Sequence, residues 1–152
     1  MASISNKGAL KSFFIGAVNT RWLTLSREMQ LLNDFSFIDK NGHQWLAEKG
    51  SIIDGASIPR VVWSLVGSPF SGKYRRASVI HDVYCKTKTR PHKKVHKMFY
   101  EAMIADGVPK IKAKMMYRAV CIGGPSWKTK AKTEQKSVFK KTALALAIVE
   151  NE

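Results

Sequence analysis

The chain is short of acid. Its 152 residues carry 11 aspartates and glutamates against 26 lysines and arginines, a formal charge of +15. A deficit that large favours anionic partners: nucleic acid, a cell-envelope polymer or an acidic protein surface. Cysteine is nearly absent. Cys85 and Cys121 are too few for a disulfide framework, so a reducing compartment is the simpler setting. No stretch approaches the roughly 20 apolar residues of a membrane span. The run from Phe13 to Val18, behind Lys7 and Lys11, is short for the apolar part of a secretory leader and lacks a clear small-residue cleavage site, so no signal peptide is expected. Aromatic residues are scarce among the lysines, with only Phe99 and Tyr100 near the basic run. That gives little support to sequence-tolerant stacking on single strands.

What is present is the make-up of a folded protein. Apolar residues at 45% and aromatics at 10% suffice at this length for one core. Residues 1–127 are expected to form one globular domain. Residues 128–152 are expected to be a basic extension ending in a short apolar helix near Leu144, Leu146, Ile148 and Val149. Lys128, Lys130 and Lys132 in that extension, with Lys93 and Lys94, are the candidate anion-binding residues.

The first third alternates with period two. Trp22, Thr24 and Ser26 alternate with Leu23 and Leu25, and Phe35 and Phe37 share one side of a second run. Asn41-Gly42 is a strong hairpin signal, with Gln44–Ala47 as the returning strand and Ser51–Ile53 as another. From Tyr74 onward the period becomes helical. Ala77, Ile80, His81 and Tyr84 fall on one stripe, then Val95, Phe99, Ala102 and Met103, then Ile111, Met115, Arg118 and Ile122. Pro91 and Pro109 suit helix starts, Asp106-Gly107 and Gly123-Gly-Pro125 suit ends, and Trp127 is placed to fold back on the core. The expected class is α+β: a small antiparallel N-terminal sheet packed on about three C-terminal helices.

Within this pattern His81 and Asp82 stand out, because an ionised carboxylate on a core-facing helix must be paired or coordinate a metal. His81 is the candidate general base, with Asp82 as its catalytic partner. Asp54, Asp82 and His96 are the candidate ligands of a divalent metal such as zinc or calcium, and His92 shares a helix face with His96 at i, i+4. The competing reading pairs Asp82 with Arg75 or Arg76 and makes the histidine structural. Ser57 reads as a helix cap with no identified base beside it. Cys85, one turn after His81, has nothing to lower its pKa.

The string Asp54-Gly-Ala-Ser-Ile-Pro-Arg60, followed by Trp63, Val79-Ile-His-Asp-Val-Tyr84, Phe99–Met103 and Gly107-Val-Pro109, resembles a domain family of unknown function found in tailed phages and prophages. The resemblance runs from about Trp22 to Trp127. It implies a phage origin and no established activity. In that family an aspartate usually occupies the position of His96. More locally, the His-Asp-x-x-Tyr helix is similar to that of calcium-dependent secreted phospholipases. There the histidine is the base, the aspartate holds calcium, and a second-helix aspartate orients the histidine; the glycine-rich calcium loop and disulfides of those enzymes are missing here. The expectation is a phage-encoded, metal-assisted hydrolase of envelope lipid or peptidoglycan, working in the host cytoplasm or from the phage particle. The alternatives are a non-enzymatic phage protein that binds nucleic acid or another phage protein, and an inhibitor of a host system.

Overall fold

A computed structural model of the chain describes residues 10–66 and 72–128. Lys130, Lys132 and the apolar segment near Leu144 lie outside the described residues. Among the described residues the order is six short strands followed by four helices, an α+β arrangement. The strands are β1 (Phe13–Ile15), β2 (Thr20–Trp22), β3 (Met29–Leu31), β4 (Phe35–Ile38), β5 (Gln44–Ala47) and β6 (Ile52–Ile53). The helices are α1 (Arg60–Val66), α2 (Arg75–Thr87), α3 (His92–Ala105) and α4 (Lys110–Gly123).

Two antiparallel sheets replace the single one expected, in the orders β1-β4-β5 and β2-β3-β6. The alternation through Leu25 is interrupted because Leu25 adopts φ 68° and is fully exposed, so the chain turns there. The Leu23 amide closes that turn on the Glu28 carbonyl at 2.9 Å. Phe35 and Phe37 do share a buried side, and Phe14 of β1 stacks on Phe35 at 5.5 Å between centroids. Phe13 and Ile15 alternate outward. At the Asn41-Gly42 turn, Gly42 takes φ 79°. Asp39 Oδ1 accepts the amides of Asn41 and His43, and Oδ2 accepts the Trp45 indole N–H at 2.9 Å.

Helix α2 is central. Every residue from Ala77 to Cys85 is buried, so it is covered on all sides rather than along one stripe. The Tyr84 hydroxyl accepts the Leu46 amide at 3.1 Å and ties α2 to β5. Helices α3 and α4 begin directly after Pro91 and Pro109, which pre-set the backbone and have no amide N–H to leave unpaired.

Helix α4 corrects the sequence reading. Ala113, Met116 and Val120 face the core, whereas Ile111, Met115 and Ile122 are 78%, 53% and 88% exposed. Two apolar stripes coexist on this helix, and periodicity alone cannot rank them. Ile122→Lys is therefore expected to change stability by no more than about 0.5 kcal/mol. Met116→Lys, which buries a charge, is expected to cost several times that in a urea titration.

Candidate functional site

The site forms where the Asp54–Pro59 loop, α2, α3 and the end of α4 meet. It starts with a tight stop. A Cβ on Gly124 would lie 2.3 Å from the Val120 carbonyl oxygen, so only glycine lets the chain turn there. The turn presents the Pro125 carbonyl to His96 Nε2 at 3.1 Å.

That contact fixes the protons of a chain of groups. A carbonyl only accepts, so His96 Nε2 carries the hydrogen, and Nδ1 of a neutral His96 must accept. His81 Nε2 lies 2.9 Å from His96 Nδ1 and therefore donates. His81 Nδ1 is then an acceptor, and the Ser57 hydroxyl lies 3.2 Å from it. The result is a directed relay, His81 to His96 to the Pro125 carbonyl, with the Ser57 hydroxyl facing the His81 acceptor nitrogen and also interacting with the Asp82 side chain. The His81 ring also packs on Phe99 at 4.6 Å. Trp127 does fold back, as expected. Its indole N–H donates to the Arg90 carbonyl at 2.9 Å, and its own carbonyl meets His92 Nδ1 at 2.8 Å.

His81 is fully buried and His96 nearly so. Burial, helped by neighbouring His96, lowers His81 to a pKa of about 3. Burial also lowers His96, against a pull upward from its bond to Pro125. Both histidines are thus neutral at physiological pH, as the relay requires. The unfolded chain binds protons near 6.5 that the folded chain refuses, so stability should fall as pH drops below that value. Denaturation midpoints measured from pH 7.5 to 5 are expected to decline. The limiting slope is about 1.4 kcal/mol per pH unit for each histidine, and the opposing contribution of Asp82 (raised by burial) reduces it. A flat profile would contradict the neutral pair.

Asp82 points the other way, into the loop. Its Oδ2 accepts the amides of Asp54 at 2.8 Å and Gly55 at 3.3 Å, and its Oδ1 accepts that of Ser57 at 3.4 Å. Gly55 takes φ 71°, which lets successive amides converge on one carboxylate. Lys86, one turn on, stands 3.8 Å from Asp82 and 3.1 Å from Asp54. Burial raises Asp54 too, but the Ala56 amide and Lys86 outweigh it and hold that carboxyl below its usual value.

This arrangement revises several expectations. Asp54, Asp82 and His96 do not form a metal set. The Asp82 oxygens are taken by amides, both His96 nitrogens are engaged, and Asp54 is paired with Lys86. Among the described residues no group of three or more His, Cys, Asp or Glu side chains is placed to hold an ion, so zinc or calcium has no ligand set there. Asp82 is not paired with Arg75 or Arg76; Arg76 pairs instead with Asp106. Ser57 is directed at His81 rather than acting as a free-standing cap. Nothing in its local sequence shows this, because its partner lies 24 residues away. The Cys85 thiol, 3.7 Å from the His81 ring nitrogens, is pushed by burial to about 12 and stays protonated. Lys93, Lys94 and Lys128 are exposed.

The class defined by these features is an α+β protein in which a carboxylate-clamped loop delivers a serine to a buried histidine pair. The chain belongs to the family described as Protein of unknown function (DUF1353), whose model matches residues 29–120. It is 50% identical over 103 residues to the uncharacterized protein y4jT of Sinorhizobium fredii (strain NGR234), covering 68% of this chain and 31% of that one. It is 46% identical over 94 residues to the uncharacterized protein y4iH of the same organism, covering 62% and 39%. The chain thus spans about a third of the length of these curated relatives. No solved structure matches it. Among the described residues no helix is long and apolar enough to cross a membrane.

Proposed function

We propose that the protein is a phage-encoded hydrolase of cell-envelope material that uses Ser57 as nucleophile, without the metal first expected. The observation that carries the reading is the directed relay. Ser57 Oγ lies 3.2 Å from His81 Nδ1, and His81 Nε2 lies 2.9 Å from His96 Nδ1. A serine is a weak nucleophile unless a base takes its proton as it attacks. His81 holds the acceptor nitrogen toward that proton. His96, anchored on the Pro125 carbonyl, is a positioning residue that fixes the tautomer of His81.

In the reaction, the Ser57 oxygen bonds to the substrate acyl carbon while its proton passes to His81 Nδ1. The tetrahedral adduct collapses to an acyl-serine as His81 returns the proton to the leaving group. Water then repeats the sequence and releases the acid. With a pKa near 3, His81 is a weak base in the resting protein. Negative charge developing on the substrate oxygen next to the imidazolium is what would strengthen it. Ser57 retains 4% of its surface, so substrate reaches it only if its surroundings open.

A fluorophosphonate probe tests the reading. Labelling of the intact protein at Ser57, abolished in Ser57→Ala, is expected. An unlabelled folded protein would overturn it. The near-complete burial of His81 and Asp82 favours the second reading, a non-enzymatic phage protein whose polar core is structural and whose basic surface binds nucleic acid. That reading expects affinity to fall steeply with salt.

A further inference from the structure

Helix α4 turns a second face outward. Ile111, Met115, Arg118 and Ile122 recur at i, i+4, i+7 and i+11, so they line one stripe, opposite the buried Ala113, Met116 and Val120. Ile111, Met115 and Ile122 are exposed. Single exposed apolar residues are ordinary, but three in register along one helix mark a contact surface. The charges around the stripe have one sign. Lys110, Lys112, Lys114 and Arg118 belong to α4, which carries no acid. None of the four has an ion-pair partner among the described residues.

An occupant that complements this face is apolar and bears acid at one end. A second copy of α4 fits poorly, because two acid-free basic helices repel when face to face. The chain itself supplies a segment that fits. Residues 143–149, Ala-Leu-Ala-Leu-Ala-Ile-Val, carry no polar side chain; Lys140 and Lys141 precede them, and Glu150 and Glu152 follow. Laid antiparallel to α4, this segment sets its two glutamates beside Lys110, Lys114 and the positive N-terminal end of the helix. Its two lysines then lie at the negative C-terminal end.

The tether permits this. The described chain ends at Lys128, just past α4, where Trp127 is held by Arg90 and His92. From Ile111 to Ile122 the stripe is about 16 Å long. A coil of about 14 residues, the length between Lys128 and Ala143, averages roughly 20 Å end to end. The segment can reach the whole stripe, and its effective concentration there is in the millimolar range, which a separate partner would have to match.

We propose that residues 143–152 dock on the outer face of α4, their apolar part against Ile122, Met115 and Ile111, and Glu150 and Glu152 toward Lys114 and Lys110. The docking involves no residue of the relay and does not rest on the hydrolase reading. So short a segment comes away at urea concentrations that leave the core folded, so the stability expected of Ile122→Lys in urea stands.

The test is methyl nuclear Overhauser spectroscopy of the full chain, alone and as a mixture of differently isotope-labelled copies. Cross-peaks within one copy are expected between the Met115 or Ile122 methyls and those of Leu144, Leu146 or Ile148. Met115 is exposed, so Met115→Lys leaves the fold intact. It should lower the docked-to-free ratio about fivefold or more, read as a shift of the Ile111 and Ile122 methyls toward their positions in a Leu144→Asp, Ile148→Asp double variant. Glu150→Lys combined with Glu152→Lys should act in the same direction, more strongly at low salt than at high. Cross-peaks only between copies would assign the stripe to a second chain and overturn the docking. So would the absence of cross-peaks within a copy, stripe methyls unmoved in the double variant, or stripe signals that respond only to phosphatidylglycerol vesicles.

Discussion

Asp82→Ala is expected to destabilise the protein by about 3–5 kcal/mol, measured as a lower urea midpoint with unchanged slope. The effect follows from what the carboxylate holds. Three amides of one loop, those of Asp54, Gly55 and Ser57, converge on it from positions 25 to 28 residues away. Alanine leaves those donors without their acceptor, and the Gly55 and Ser57 backbones are buried. Each unsatisfied buried donor carries a penalty of about 1–3 kcal/mol. Lys86 keeps Asp54 at 3.1 Å, so the charge on α2 is not orphaned, and this keeps the expected total at the lower end of what three independent losses would give. Asp82→Asn retains one acceptor oxygen but turns an amino group toward donors, and should fall between wild type and alanine. A change below about 1 kcal/mol in Asp82→Ala would show that the loop holds itself without the clamp.

Ser57→Ala separates the two functional readings. Under the hydrolase reading, turnover of an envelope-derived ester or amide should fall by a factor on the order of 10³ or more, as loss of a serine nucleophile does elsewhere. Stability should fall by about 1–3 kcal/mol, because the buried His81 acceptor nitrogen is left unpaired and the hydroxyl's interaction with Asp82 is lost. His96→Asn should move the pH dependence of the remaining turnover, since the tautomer of His81 is then no longer set by an anchored partner. A structural relay predicts the same stability change in Ser57→Ala with no accompanying loss of any activity. The readout is kcat alongside Tm on the same preparations.

Much of the framework was legible from local pattern. Pro91 and Pro109 mark helix starts, Asn41-Gly42 marks a hairpin, and Asp54-Gly55 marks a turn at positive φ, because each acts through its own backbone. The α+β class followed from the change of hydrophobic period between Ile53 and Tyr74. The failures share a cause as well. Ile111, Met115 and Ile122 carry a helical period as regular as that of the residues actually buried. Which stripe α4 turns inward is decided by how it packs on α3, and the period of α4 alone does not reveal that orientation.

The site divides along the same line. By itself the sequence determined that His81 and Asp82 sit together on a core helix, because chemical type and spacing are local properties. It also determined that a buried charge there must find partners, because desolvation penalises any unpaired ion. Only the tertiary structure decided which partners. Consecutive residues on a helix point about 100° apart, so His81 and Asp82 serve different neighbours. Asp82 reaches back to the amides of the Asp54–Ser57 loop, while His81 joins Ser57 on one side and His96 on the other. The relay's direction rests on the Pro125 carbonyl, an acceptor that every residue carries and that no pattern can single out until folding brings it to His96.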